Sequence, residues 1–276
     1  MRAEVIRLVV KHALRSIHRR LMRRETGNAN GVLARPTVVF SPHFDDETLG
    51  CGGTILLKRR AGAEVTVVFM TDGGRSHLNL IPEDELTALR QQEGLAACLA
   101  LGVSEGNMVS LGYPELGLAD RAGQAMQAVR TVLERCRPAE VFVPYHDDGN
   151  VDHVATNRIV MAAIAAWGGV AAVNEYPVWF WNQWPWVRLP LRHYRRAFAM
   201  ARRSVVPGLG LRVLREFRWA VPVGEVLEGK RAALDCYKTQ MTRFTGSPTW
   251  PVLGDVAGGE FLKSFFLPYE VFHRRG

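Results

Sequence analysis

Thr37-Val38-Val39-Phe40-Ser41-Pro42-His43-Phe44-Asp45-Asp46-Glu47-Thr48 decides how the rest of the chain is read. Its first four residues are β-branched or aromatic, the composition of a strand. A cluster of His and Asp follows, and from Thr48 to Arg60 the pattern is helical despite Gly50, Gly52 and Gly53. Strand, polar turn and helix make the first part of a βαβ unit.

Working outward, the same alternation continues. Val65 to Met70 reads as a second apolar strand ending in Thr71-Asp72-Gly73-Gly74. Pro82 opens a helix to about Leu101, with acids in its first turn, where the helix dipole favours them. Met108 to Leu111 is a short strand, Asp120 to Cys136 a helix, and Glu140 to Val143 a strand followed by a polar loop. A helix from Asp152 to Trp167 and a strand from Ala171 to Tyr176 complete the series. Such alternation predicts an α/β fold with a mostly parallel sheet covered on both faces, and the unbroken apolar strands agree. Beyond Tyr176 the pattern changes. Trp179, Phe180, Trp181, Trp184 and Trp186 crowd one stretch, an Arg-rich segment runs to Arg218, Gly229 to Thr242 is helical, and the tail is aromatic. Before the alternation, residues 3–24 predict one amphipathic helix with Ile6, Val9, Val10, Ala13, Leu14, Ile17 and Leu21 at helical spacing. The expected organisation is a basic helix and linker over 1–30 and a single domain over 31–276, with 176–228 as a variable insertion.

The chain has 276 residues, 47% hydrophobic, which excludes a disordered protein and allows a large core without disulfides. Its four cysteines form no CxxC pair, so free thiols in a reducing cytoplasm are expected. No run of about 18 uncharged apolar residues predicts a membrane span, and the N-terminal apolar runs, broken by Arg7 and Lys11, do not read as a signal peptide. The net charge of +8 is local: residues 1–24 hold eight Lys/Arg against one Glu, residues 188–218 nine Arg against one Glu, and the remainder is acidic.

The chemistry concentrates at two strand ends. In open parallel sheets ligands bind beyond the carboxyl ends of the strands. The first strand runs into His43-Phe44-Asp45-Asp46-Glu47, and the strand at 140–143 into His146-Asp147-Asp148-Gly149-Asn150-Val151-Asp152-His153. An imidazole and a carboxylate three residues apart, joined by a second imidazole from a neighbouring turn, supply three ligands and leave a position for water, as in catalytic zinc sites. His43, Asp46 and His153 are the ligands this logic selects, with Asp45 as base and Asp152 orienting an imidazole. For either loop alone, helix capping by Asp45 or Asp152 is the competing explanation. Two such loops together favour a catalytic site.

The run Pro42-His43-Phe44-Asp45-Asp46-Glu47 resembles the His-Pro-Asp-Asp-Glu motif of the LmbE/PIG-L-like N-acetylglucosaminyl deacetylases, with Phe44 in place of the middle Pro. Asp152-His153 resembles the family's second motif. Arg90-Gln91-Gln92-Glu93 ahead of Leu101-Gly102, and Lys230 through Lys238-Thr239-Gln240, are similar to two further segments. The resemblance spans roughly residues 36–245. It implies a Rossmann-like three-layer fold and zinc-dependent (or other divalent metal) hydrolysis of the N-acetyl group of an amino sugar, releasing acetate and a free amine. It also implies His43, Asp46 and His153 as metal ligands and Asp45 as the base. Many members carry a His three residues before the ligand His, thought to assist the tetrahedral intermediate. Here that place holds Asn150, which can donate a hydrogen bond but cannot shuttle a proton at neutral pH. The proton for the leaving amine then comes from Asp45, His146 or His273. Asp72 and Arg75, at a strand end, are candidate substrate contacts, and Glu93 is a candidate partner for a sugar hydroxyl, with a helix-surface salt bridge as its plain alternative.

The expected partner is an N-acetylated amino sugar or glycoconjugate, and the expected location cytoplasmic. Residues 1–24 leave two placements open: contact with a membrane surface, or packing on the domain with a solvated basic face. A nucleic-acid-binding protein using the Arg-rich segment would leave the acidic loops without purpose, and a sugar-binding protein without hydrolase activity would leave the ligand set idle. No G-x-G-x-x-G follows the first strand and no G-x-S-x-G is present, against nucleotide-binding and serine-hydrolase chemistry.

Overall fold

A computed structural model describes residues 2–25, 29–188, 198, 202 and 211–275. The opening stretch forms strand β1 (Thr37–Ser41), a turn, and helix α3 (Asp46–Arg60). Preceding it are α1 (Arg2–Glu25) and the short α2 (Ala29–Leu33), so part of the expected linker is helical. The series continues as β2 (Val65–Thr71), α4 (Glu83–Ala100), β3 (Met108–Tyr113), α5 (Ala122–Cys136), β4 (Glu140–Pro144), α6 (Val151–Trp167) and β5 (Ala172–Tyr176). These strands are parallel in the order β3-β2-β1-β4-β5. Two antiparallel strands that the sequence pattern did not announce extend the sheet: β7 (Tyr269–Arg275) against β5, then β6 (Trp219–Pro222). The strand order reverses between β1 and β4, which opens a crevice at their carboxyl ends.

Every residue of β1, β2 and β4 is buried, because helices cover both faces. Val38 and Phe40 of β1 pack with Val129 and Leu133 of α5 and Ile159 and Val160 of α6. Val39, between them, points to the opposite core with Ile55 of α3 and Cys98 of α4, as the two-residue period of a strand requires. The glycines inside α3 serve close packing. A Cβ at Gly50 would stand 2.2 Å from the Tyr176 ring, and one at Gly53 2.6 Å from Val223. The Gly53 and Thr54 amides donate to Glu270 of β7, and Lys230 Nζ donates to the same carboxylate, at 2.7 Å, and to the Leu49 carbonyl. The predicted helix from Gly229 to Thr242 is two pieces, Leu227–Leu234 and Lys238–Met241. The aromatic stretch is core and rim: Phe180, Trp181 and Trp186 are buried, Trp179 half-buried. Most of the Arg-rich segment lies outside the described residues.

Helix α1 is packed, but with the unexpected face inward. Arg7, Lys11, Leu14 and His18 are buried, while Ile6, Val9 and Ile17 of the predicted apolar stripe are exposed. The cause is the surface beneath. Arg7 donates to both oxygens of Glu260 (2.9 and 3.2 Å), Lys11 Nζ to the Trp186 carbonyl (2.7 Å), and His18 Nε2 bonds the Phe217 carbonyl (2.7 Å). These acceptors need donors once covered, and an apolar stripe would have none to give. No helix among the described residues is long and apolar enough to cross a membrane.

Candidate active site

The turn after β1 is held by side chains of its own sequence. Ser41 Oγ donates to the His43 carbonyl (2.7 Å) and accepts from the Glu47 amide (3.0 Å). Glu47, fully buried, accepts from the Asp45 amide (3.2 Å) and the Tyr237 hydroxyl (2.7 Å). These bonds keep Asp45 at φ 123°, a left-handed backbone that a residue with a Cβ adopts only when its surroundings fix it. Asp45 occupies the N-cap position of α3 without capping it. Its carboxylate instead accepts from Gln240 Nε2. After β4 the capping role falls to Asn150, whose Oδ1 accepts from the Asp152 and His153 amides (2.8 and 3.4 Å).

The two turns bring three donor atoms together. His43 Nδ1 and Asp46 Oδ2 are 3.1 Å apart, His153 Nε2 and Asp46 Oδ2 3.1 Å, and the two imidazole nitrogens 3.3 Å. Tetrahedral ligands at zinc distances stand about 3.3 Å from one another, so the triangle fits a zinc-sized ion without rearrangement. The outer nitrogen of each imidazole faces a buried carboxylate. His43 Nε2 is 3.2 Å from Asp152 Oδ2, and His153 Nδ1 is 2.8 Å from Asp148 Oδ2. Both carboxylates are anchored in turn. Asp152 accepts from the Leu116 amide (2.8 Å), and Asp148 from the amides of Val178, Trp179 and Phe180 (2.8–2.9 Å).

Electrostatics provide a second test of fit. Burial pushes the His153 imidazole down, but Asp46 and Asp148 more than reverse this and hold it at about 9. Burial opposes charge on His43 as well, and Asp152 and Asp46 keep it well above the usual imidazole range. The imidazoles thus hold protons against desolvation, so the pocket carries negative potential that a divalent cation would satisfy while displacing them. Burial, then Asp46, raises the Asp45 carboxyl well above the carboxylate range, with Arg90 and His43 pulling the other way.

Around the triangle lies a cavity of about 240 Å³. His43, Asp45, Asp46, Ser76, His77, Arg90, Glu115, Asn150 and Gln240 form its polar wall. Val178, Trp179, Leu253, Val256 and Phe261 form its apolar wall, where the Trp179 and Phe261 rings stack at 5.0 Å. Other residues singled out in the sequence lie elsewhere. Asp72 Oδ1 accepts from the Gly74 and Glu115 amides (3.2 and 3.1 Å), and Arg75 pairs with Glu83 at 3.0 Å on the surface. Neither belongs to the cavity wall. Glu93 faces inward and receives the Thr239 amide and hydroxyl (2.7 and 2.5 Å), which fixes the segment that carries Gln240. His146 and His273 meet each other at Glu175 instead of lining the cavity. Sequence reasoning assigned no role to Asp148, Glu115 or His77. Asp148 stood in the quoted loop, but nothing there separates it from Asp147, which turns outward to Arg212 at 2.6 Å.

Comparisons with known proteins follow this geometry. The family profile described as PIG-L: GlcNAc-PI de-N-acetylase matches residues 38–164, which include both turns. A 1D-myo-inositol 2-acetamido-2-deoxy-α-D-glucopyranoside deacetylase of Mycobacterium sp. (strain KMS) is 31% identical over 245 residues, covering 75% of each chain. Among solved structures, the N,N'-diacetylchitobiose deacetylase of Pyrococcus horikoshii superposes with a TM-score of 0.59 at 19% identity, over 96% of this chain and 92% of that one. GalB, a 4-carboxy-2-hydroxymuconate hydratase of Pseudomonas putida KT2440, superposes with a TM-score of 0.52 at 18% identity, over 75% and 80% of the two chains. A hydratase on this fold means that the architecture alone does not set the reaction. On the profile match and the extent of the mycobacterial similarity, the chain belongs to the PIG-L family of de-N-acetylases.

Proposed function

We propose that this chain is a metal-dependent N-deacetylase that hydrolyses the acetamide of an N-acetylated amino sugar or glycoconjugate. The observation that carries the reading is the convergence of His43, Asp46 and His153 donor atoms at 3.1–3.3 Å, with His43, Asp46 and the buried Asp45 carboxylate lining one cavity. His43, Asp46 and His153 hold the ion, with zinc the best match to this donor set. When bound, the ion supplies Lewis acidity and lowers the pKa of a coordinated water.

The chain's own residues do the rest. Asp45 accepts a proton as a water oxygen attacks the acetamide carbonyl carbon, and its burial favours the protonated carboxyl that results. Gln240 and the strained backbone fix the direction of the carboxylate. Asn150 lines the cavity, and with its Oδ1 committed to capping α6, its Nδ2 is the group free to donate to the developing oxyanion. When the carbon–nitrogen bond breaks, Asp45 returns its proton to the amine. His146 and His273 take no part, since they gather at Glu175, apart from the His43, Asp46 and His153 donor atoms and from the cavity wall. At about 240 Å³ the cavity is below the pockets of about 300 Å³ and more that enclose drug-sized ligands, so it suits one sugar ring. The Trp179–Phe261 wall offers a face for that ring, and Arg90 and Glu115 offer partners for its hydroxyls.

The test is acetate release from a panel of N-acetylglucosamine conjugates by wild type and Asp45→Asn. Loss of a general base costs roughly 10²- to 10⁴-fold. The variant should show that loss while keeping its metal content. An Asp45→Asn protein that deacetylates normally, or a wild type that releases no acetate even with zinc added, rules the assignment out.

Residues 31–276 act in this reading as one catalytic domain, and α1 gives it a place to work. Val5, Ile6, Val9 and Ile17 are 45–62% exposed along one side of a helix whose composition is strongly basic. An exposed apolar stripe with arginines fits contact with an anionic membrane surface. Flotation with phosphatidylglycerol vesicles should recover wild type and lose a Val5→Asp/Val9→Asp variant. Equal, negligible recovery of both removes the membrane from the proposal.

A further inference from the structure

Among the described residues a second group of ligand-type side chains gathers away from the cavity: His146, Glu175 and His273, with one donor atom of each within 4.8 Å of the others. We propose that it is a second metal site, for a divalent cation of the zinc class.

Three strands supply it. His146 lies two residues past β4, Glu175 is on β5, and His273 on β7 is the register partner of Glu175. The Glu175 side chain is fully buried, and its oxygens are sorted by their neighbours. Oε1 accepts from Asn157 Nδ2 (2.9 Å) and Arg275 Nε (2.5 Å), while Oε2 faces His146 Nδ1 at 2.7 Å. His273 Nδ1 is 2.9 Å from the Glu216 carbonyl. A carbonyl only accepts, so Nδ1 carries the proton and Nε2 keeps its lone pair for a cation. That is how the outer hydrogen bond of a metal-bound imidazole fixes its tautomer. The His146 and His273 side chains are 38% and 26% exposed, so a cation reaches them from solvent and keeps water in its remaining positions.

Two imidazoles and a carboxylate repeat the ligand count of the first site, but the second is less prepared. The His146–Glu175 contact is a hydrogen bond, and a bound ion must replace its proton and part the two atoms by about half an ångström. Arg275 also offsets the Glu175 charge. The second site therefore binds more weakly than the first, and the two fill in order.

The test is titration of the chelator-stripped, untagged chain with zinc, and with cobalt(II) for its visible spectrum. Wild type is expected to take up two equivalents. A His146→Ala/His273→Ala variant should take up one, the tighter, and lose the cobalt bands of the weaker. His153→Ala should lose the tighter equivalent instead, which keeps this result separate from any outcome for the deacetylase reading. If the double variant fails to fold, His273→Ala alone, at a partly exposed residue, gives the same reading. Equal stoichiometry in wild type and the folded variant overturns the proposal, as does a wild type whose single equivalent is the one that His153→Ala removes.

Discussion

Two regions of this molecule bury charge, and they do so in opposite ways. At the switch point between β1 and β4, buried imidazoles and carboxylates face one another, and each imidazole is flanked by acids on both sides. Under α1, the cations Arg7 and Lys11 and the imidazole of His18 each meet an acceptor on the domain, one carboxylate and two carbonyls. Under α1 each of these three groups already has its acceptor, although Arg7 Nε and Trp186 Nε1 stay buried without one. The switch-point cluster is satisfied only by taking on positive charge, as protons or as a metal ion. Burial of charge therefore means attachment in one region and chemistry in the other.

The largest effects are expected where the charge is unfinished. His153→Ala removes a donor atom and the partner of Asp148 together. It should abolish tight metal binding and lower acetate release by about 10³-fold or more, several kcal/mol of barrier. Asp148→Asn is the sharper probe, because it leaves all three donor atoms in place. Asn retains one acceptor oxygen for three amides and for His153. Metal affinity should fall by about 10- to 100-fold, and the stretch 178–180 should loosen by about 1–3 kcal/mol. Metal titration and thermal melts measure the two parts. Unchanged metal affinity in Asp148→Asn would make this carboxylate a loop anchor only, and the contrast between the regions would narrow.

How much of this was legible in sequence follows the same divide. The switch-point turns could be read because His43, Asp45 and Asp46 are near neighbours in sequence and sit where a buried strand ends. Strand burial and ligand chemistry then point to one place. Arg90, Gln240 and Asp148 acquire meaning only through the fold: Gln240 meets Asp45 across 195 residues. Strands β6 and β7 escaped notice because β6 has only four residues, β7 (Tyr269–Arg275) carries Glu, His and Arg among its apolar residues, and both take their form from pairing with β5 and each other. For α1, periodicity gave the helix and left open which face packs on the domain. A hydrophobic stripe predicts the buried side only when the opposing surface is apolar, and here that surface presents Glu260 and the carbonyls of Trp186 and Phe217.

At the seam, Arg7→Ala should release α1 without touching the chemistry. Losing the Arg7–Glu260 pair should weaken docking by about 2 kcal/mol, less than the 3–5 kcal/mol typical of a fully buried pair because Glu260 keeps some solvent. Proteolysis near the N-terminus should quicken while metal content and acetate release stay at wild-type levels. A fall in metal affinity would show that the seam and the switch point are coupled.

The smallest effect tests whether the seam holds an imidazole in its neutral form. Burial lowers the His18 pKa, and the bond to the Phe217 carbonyl only partly offsets this. Docked α1 thus prefers neutral His18, whereas a released helix titrates near 6.5. The sign follows: the contribution is complete above about pH 6.5, is lost as pH falls below it, and stops changing beneath the docked pKa. Amide exchange of α1, corrected for the intrinsic effect of pH, should therefore show weaker protection at pH 5 than at pH 7.5. His18→Gln keeps a neutral donor for the carbonyl and should remove that difference. If wild type protects α1 equally at both pH values, His18 is not held neutral and the seam tolerates a further charge. Buried cations there would then be as adaptable as those at the switch point, and the contrast between the two regions would rest on the carboxylates alone.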